Sequence, residues 1–261
     1  VKAPAFDYVA PATLAEALAA LGRHGEGAKL LAGGQSLVPA LNLRLLAPEI
    51  LIDLNHVAEL RGVTLAGDTL RIGAMTRHAE IAGSALVAAH APLLTKAAAQ
   101  VAHAAIRNRG TMGGNLVHAD PASEFPACMV ALEAEMVLAG PAGERRVSAE
   151  RFFTGVYATA IEPDEILAAI EVPVIRPGQR HVFLELSRRA GDYALVGVAV
   201  RADIAAGQLA AIRPVFFAAG PQPIVARAAA AHLTGAALDE AALARAAAAL
   251  EADLEPEDDL Q

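Results

Sequence analysis

The chain has 261 residues, a formal net charge of −8 and a single cysteine, Cys128. That length allows roughly one to three modest domains. The acidic balance excludes a nucleic-acid binder, which needs clustered Lys and Arg, and one thiol excludes an intrachain disulfide or a cysteine-held iron–sulfur cluster within the chain.

Thr13-Leu14-Ala15-Glu16 is a capping box, and Leu14, Leu18 and Leu21 follow at helical spacing. Gly22 and Gly25 are expected to end that helix. Lys29 to Ala32 reads as a short buried strand, and Ile50 to Leu54 as another. Residues 1–56 therefore form a small α/β unit. Val63-Thr64-Leu65 and Leu70-Arg71-Ile72 flank an Ala-Gly-Asp turn and predict a hairpin. Residues 77–105 are Ala-rich and helical, with an interruption at Pro92. Asp120-Pro121 opens a helix through Ala131. A second hairpin is expected around Met136 to Val147, and a strand runs from Ile166 to Val172. Two prolines and a glycine between Pro173 and Gly178 mark a boundary. It separates a second unit, 57–174, from a third, 175–261. The third unit is expected to hold three strands (His181 to Leu186, Ala194 to Ile204, Leu209 to Ala218) and two helices at about 223–232 and 239–254, the latter capped by Asp239.

Two glycine-centred segments carry the chemistry. Ala32-Gly33-Gly34-Gln35-Ser36 follows a strand, and Arg109-Gly110-Thr111-Met112-Gly113-Gly114-Asn115 follows the helical stretch. Backbone approaches a phosphate closely only where no Cβ intervenes, and consecutive N–H groups then form an anion-binding nest. Two such turns can close on the diphosphate of one dinucleotide. The alternative for each is a tight connection in which the glycines merely make the bend. Neither segment is a G-x-G-x-x-G or a Walker-type loop. Asp120, Ser123 and Glu124 follow closely, as acceptors for ribose hydroxyls or as caps of the next helix. Asp192 and Tyr193 close a polar Ser-Arg-Arg-Ala-Gly turn, where the Tyr ring either covers a flat ligand or packs at a rim. The eight His residues show no metal-ligand spacing, so no metal site is expected in this chain. No hydrolytic nucleophile motif is present. The N-terminus lacks a secretory pattern and no window is long enough for a membrane span, which points to a cytoplasmic protein.

With those residues in place, the chain resembles the FAD-binding medium subunit of molybdenum hydroxylases. The closest pattern is that of carbon monoxide dehydrogenase, with the xanthine dehydrogenase flavin domain more distant. The resemblance rests on Ala32 to Ser36, Thr111 to Asn115 and Arg188 to Tyr193 in that order, and extends from Lys2 to about Leu260. It implies an α+β fold of the p-cresol methylhydroxylase type, in which two N-terminal α/β subdomains hold FAD and a C-terminal three-stranded antiparallel sheet with helices covers it. It implies noncovalent FAD lined by Lys29, Leu30, Leu31, Ala32, Gly33, Gly34, Gln35, Ser36, Thr111, Gly113, Gly114 and Asn115. Glu124 falls at an acidic FAD contact, Leu167 at an adenine-side apolar contact, Tyr193 beside the flavin ring, and Asp192 among the cofactor contacts. No residue here is implied in the hydroxylation itself. That reaction belongs to a large subunit with a molybdenum cofactor, and electrons would arrive through a small iron–sulfur subunit, in a dimer of heterotrimers. Gln35 stands where the family often has His. Leu184 stands where xanthine dehydrogenase relatives have a Lys, so that contact is not carried over. The chain stops at Gln261, where relatives usually continue with a basic helix. A free-standing flavin oxidase and a noncatalytic assembly module are the competing readings.

Overall fold

A computed structural model of the chain describes residues 2–256. The first sheet contains β1 (Asp7–Val9), β2 (Ala28–Leu31) and β3 (Ile50–Asp53), connected by α1 (Leu14–His24) and α2 (Leu37–Asn42). Its order is β1-β3-β2 and both pairings are parallel. The capping box forms: Thr13 Oγ1 accepts from the Glu16 N–H at 3.1 Å, and the Glu16 carboxylate accepts from the Thr13 N–H at 3.3 Å. Gly25, at φ +50°, ends α1. Gly22, expected to share that role, lies inside the helix, because the Ala17, Ala20 and Leu21 face packs on Ile50 and Ile52 and holds the last turn together. β2 ends at Leu31, so Ala32 already belongs to the turn. β1 and α2 carry no clear periodicity and are not evident from sequence.

Next come β4 (Val63–Ala66), β5 (Thr69–Gly73), α3 (His78–Gly83), α4 (Ala85–His90), α5 (Pro92–Gln100), α6 (Ala104–Arg107), α7 (Met112–His118), α8 (Glu124–Ala131), β6 (Glu135–Gly140), β7 (Gly143–Ser148), α9 (Ala149–Phe152), β8 (Phe153–Gly155), β9 (Ala158–Thr159) and β10 (Ile166–Pro173). The five-stranded sheet has the order β4-β5-β10-β6-β7. β10 is central, and Ile166 to Ile170 are all buried, as expected of a strand covered on both faces. Pro92 is not merely an interruption: it is the first residue of α5, where its missing N–H costs nothing. The helix expected from Asp120 starts instead at Glu124. Asp120 turns its side chain onto the Ala122 N–H (3.0 Å), a local bond that competes with helix initiation.

β11 (Gln179–Ser187), β12 (Ala194–Ala205), β13 (Gln208–Phe217) and β14 (Ile224–Val225) form an antiparallel sheet backed by α10 (Arg227–Leu233) and α11 (Glu240–Asp253). The sheet thus has four strands rather than three, because Ile224-Val225, expected within a helix, pair with Val215 and Phe216. Asp239 caps α11 through the Ala242 N–H at 2.8 Å. Arg201 reaches Glu133, and Arg213 and Arg227 both reach Glu150. These pairs, with Arg213 Nε donating to the Val130 carbonyl at 2.9 Å, fasten the sheet over α8. Ala199, Val215 and Phe217 join the same apolar cluster as Phe125, Cys128 and Leu116. No helix among the described residues is long and apolar enough to cross a membrane. Leu260, to which the resemblance extends, lies outside the described residues.

Candidate functional site

The two glycine segments meet. Gly33 lies so close to the second segment that a Cβ there would sit 2.4 Å from the Arg109 carbonyl oxygen and 2.7 Å from the Gly110 Cα. Only glycine allows this approach. Gly34, at φ +74°, turns the chain from β2 into α2. Two side chains absent from any motif hold the contact. Asn55 Nδ2 donates to the Ala32 carbonyl (2.9 Å) and to Asp53 Oδ1 (2.6 Å). The Arg77 guanidinium donates to both Asn55 Oδ1 and the Arg109 carbonyl. Burial alone would raise the Asp53 carboxyl, but hydrogen bonds from the Tyr8 hydroxyl and from Asn55 outweigh it and hold it below the usual carboxylate range.

The segments offer a ligand different things. Among the described residues, the N–H groups of Gly33, Gly34, Gln35 and Ser36 donate to no protein acceptor. They form an unspent nest of the kind that binds anions. The Gln35 amide folds back on the Gly33 carbonyl (3.2 Å). The second segment is not an open turn. Thr111 is the N-cap of α7, and its Oγ1 accepts from the Gly114 N–H at 3.1 Å. The N–H groups of Met112, Gly113 and Asn115 are spent on Thr76, Ala74 and Thr111 carbonyls. Its glycines serve close packing: a Cβ at Gly113 would lie 2.5 Å from Ala74 Cβ, and one at Gly114 would lie 3.4 Å from Ala32 Cβ. Beneath Gly110, the buried His78 ring packs edge-on against Phe125, and burial lowers its pKa to about 4, so it stays neutral.

A second group of residues lies beyond α7. The Ser123 hydroxyl donates to Asn115 Oδ1 at 2.9 Å, tying the start of α8 to α7. Glu124 is only 8 % exposed. Tyr193, 67 % exposed, stands at the rim, and its hydroxyl pKa is raised by burial and by Asp120 and Glu124. Asp192 closes the same turn through its N–H on the Arg189 carbonyl (3.1 Å). Tyr157, which no sequence motif marks, faces Asp120 with its hydroxyl and lies against His118, ring centres 4.9 Å apart. Lys29 is exposed on β2, with Leu30 and Leu31 half-buried. Leu167 is 4 % exposed, in the core cluster with Leu116 and Leu138.

Burial, with Glu185 and Asp120 adding to it, pushes the Glu124 carboxyl from 4.5 up to about 7. Between those pH values the unfolded chain loses this proton while the folded chain keeps it. The residue's contribution to stability therefore falls as pH rises across that window and is flat above it. Glu124→Gln removes the titration. Relative to wild type, the flavin-free variant should gain up to about 3 kcal/mol between the lower and upper ends of the window. Urea unfolding at both ends measures this, and an unchanged difference would refute it.

Residues 4–175 match the family described as the FAD binding domain in molybdopterin dehydrogenase, and residues 181–261 match the CO dehydrogenase flavoprotein C-terminal domain. The chain is 41% identical over 258 residues to the carbon monoxide dehydrogenase medium chain of Hydrogenophaga pseudoflava, covering 99% of this chain and 90% of that one. It is 43% identical over 201 residues to the caffeine dehydrogenase subunit beta of a Pseudomonas species, covering 77% and 68%. A solved carbon monoxide dehydrogenase from Hydrogenophaga pseudoflava superposes with a TM-score of 0.97 at 43% identity, over 100% of this chain and 91% of that chain.

Proposed function

The chain belongs to the FAD-binding molybdopterin dehydrogenase family and is a medium, oxidoreductase subunit of the molybdenum hydroxylase type, and on that premise we propose how its residues serve electron transfer in a cytoplasmic dimer of heterotrimers. The observation that carries the reading is the unspent row of N–H groups at Gly33 to Ser36, pressed against the second glycine segment. These groups hold the FAD diphosphate, and the Thr111 hydroxyl and Asn115 amide border it from α7. Glu124 accepts from a hydroxyl of the nucleotide's sugar or ribityl chain, and Tyr193 shields one edge of the ring. Leu167 supplies an apolar contact on the adenine side of the cofactor.

FAD, when bound, supplies the electron store between the iron–sulfur clusters of a small subunit and an external acceptor. The chain's own work is to bind it, orient it and limit access to it. Hydroxylation belongs to a large subunit with the molybdenum cofactor. Likeness over almost the full chain to subunits of multi-subunit dehydrogenases favours this reading over a free-standing flavin oxidase or a module without cofactor. The test is the cofactor itself. Protein purified with its partners should release about one FAD per chain on acid treatment. A colourless chain that takes up no added FAD would overturn the assignment.

A further inference from the structure

The loop that leaves α2 carries an apolar run open to solvent: residues 42–47 are all exposed. Among them Leu43 and Leu45 are 63 % and 72 % exposed, and Leu46 is exposed as well. Single exposed leucines are ordinary, but three within four positions form a patch of the kind that marks a partner. The loop is built rather than loose. The Arg44 N–H donates to the Leu41 carbonyl (3.0 Å) and the Leu45 N–H to the Ala40 carbonyl (2.9 Å), the pair of bonds that closes a helix through a left-handed residue.

That left-handed residue is Arg44, at φ +58°. Glycine is the usual choice there, because a side chain adds backbone strain, and such strain persists where the side chain is needed. Arg44 Nε donates to the Lys2 carbonyl (3.2 Å), and among the described residues its guanidinium meets no carboxylate. It is the one charged side chain between Leu37 and Pro48, in a chain of net charge −8. An arginine without an acid, set among exposed leucines, has the composition of an interface centre. Its complement is an apolar recess with a carboxylate.

Position decides which partner fits. α2 is six residues long, about 9 Å of helix, and joins the Gly33 to Ser36 N–H row directly to this loop. A body seated on Leu43 and Leu45 therefore stands beside the row that is to hold the cofactor. Electrons reach a cofactor only from a donor held close to it, and the protein's part is to set that distance. The iron–sulfur subunit needs that seat. The subunit with the molybdenum cofactor, one transfer further back, does not. We propose that Leu43, Arg44 and Leu45 are the docking point of the small iron–sulfur subunit, which presents to them an apolar recess with a carboxylate. The inference rests on the flavin reading above.

Cys128 is buried, so Asn42→Cys gives the full chain an accessible thiol for a short photo-crosslinker at the edge of the patch. In the complex assembled from the labelled chain with its large and small subunits, illumination should join the chain to the small subunit, identified by mass. A crosslink to the large subunit, to a second copy of this chain, or to nothing would overturn the proposal. Affinity is the second arm. Leu45→Asp should weaken rebinding of the chain to the other two subunits at least about 30-fold. Arg44→Gly should weaken it about 10-fold without lowering the chain's melting temperature, because it removes the strain along with the charge. Leu243→Asp, on the exposed side of α11, should leave rebinding unchanged. Near-wild-type rebinding of Leu45→Asp and Arg44→Gly would equally sink the docking point. The FAD content of the same complex is read separately. A complex without flavin removes the flavin reading, whereas a flavin-bearing complex with the crosslink elsewhere overturns this inference alone.

Discussion

Gly33→Asp should yield a folded chain that retains no FAD. The β-carbon would fall 2.4 Å from the Arg109 carbonyl oxygen, against backbone rather than the movable end of a side chain. Relief requires the two glycine segments to separate, and overpacking of this kind costs about 1–3 kcal/mol. The carboxylate adds a negative charge beside the N–H groups that are to receive a diphosphate, so repulsion compounds the loss of shape. Together these should weaken FAD at least about 100-fold, equivalent to about 2.7 kcal/mol. Fluorescence titration of flavin-free protein measures the affinity. Gly33→Ala separates the two causes, because it adds the β-carbon without the charge and should fall between wild type and the carboxylate. Near-wild-type affinity in Gly33→Asp, with circular dichroism unchanged, would mean that the diphosphate lies elsewhere.

How much of this was legible in the sequence depended on how local the cause is. The capping box at Thr13, the two hairpins and the Asp239 cap are fixed by residues three or four positions apart, and all form where the pattern places them. The start of α8 falls later than the pattern predicts because Asp120 carries the right side chain for a cap but uses it on the Ala122 N–H. Ile224 and Val225 read as part of a helix because two apolar residues carry no period, and only pairing with β13 makes them a strand. The first glycine segment was read from its residues alone, since glycines after a strand signal a bend. The second reads as a turn, yet Gly113 and Gly114 sit in a helix and let that helix press on Ala74 and Ala32. A glycine required for close packing and one required for a turn look the same in sequence. Asn55, Tyr157 and Arg77 had no motif to mark them, because their partners lie 22 or more residues away.

Arg77 carries the other large expected effect. Its guanidinium reaches Asn55 Oδ1 on the side of the first segment and the Arg109 carbonyl on the side of the second. Its backbone pairs with Thr111, and its N–H donates to the Glu80 carboxylate (2.6 Å) at the start of α3. One side chain thus spans the joint that the cofactor is to occupy, with the planar fork suited to two acceptors at once. Burial, and the neighbouring Arg61 and Arg109, lower its pKa, so the charge is held in place at some cost and its contacts must compensate. Arg77→Met keeps the length and apolar stem but removes two hydrogen bonds from a charged group, each worth about 1.5–3 kcal/mol. The expected outcome is an FAD affinity about 10- to 100-fold weaker and a melting temperature lower by several degrees, about 2–4 °C per kcal/mol at this size. Arg77→Lys can satisfy only one acceptor well and should recover part of the stability but little of the affinity. Added FAD should raise the melting point of wild type more than that of Arg77→Met. Equal shifts would show that the two segments hold their spacing without Arg77, and the joint would then depend on the Gly33 contact alone.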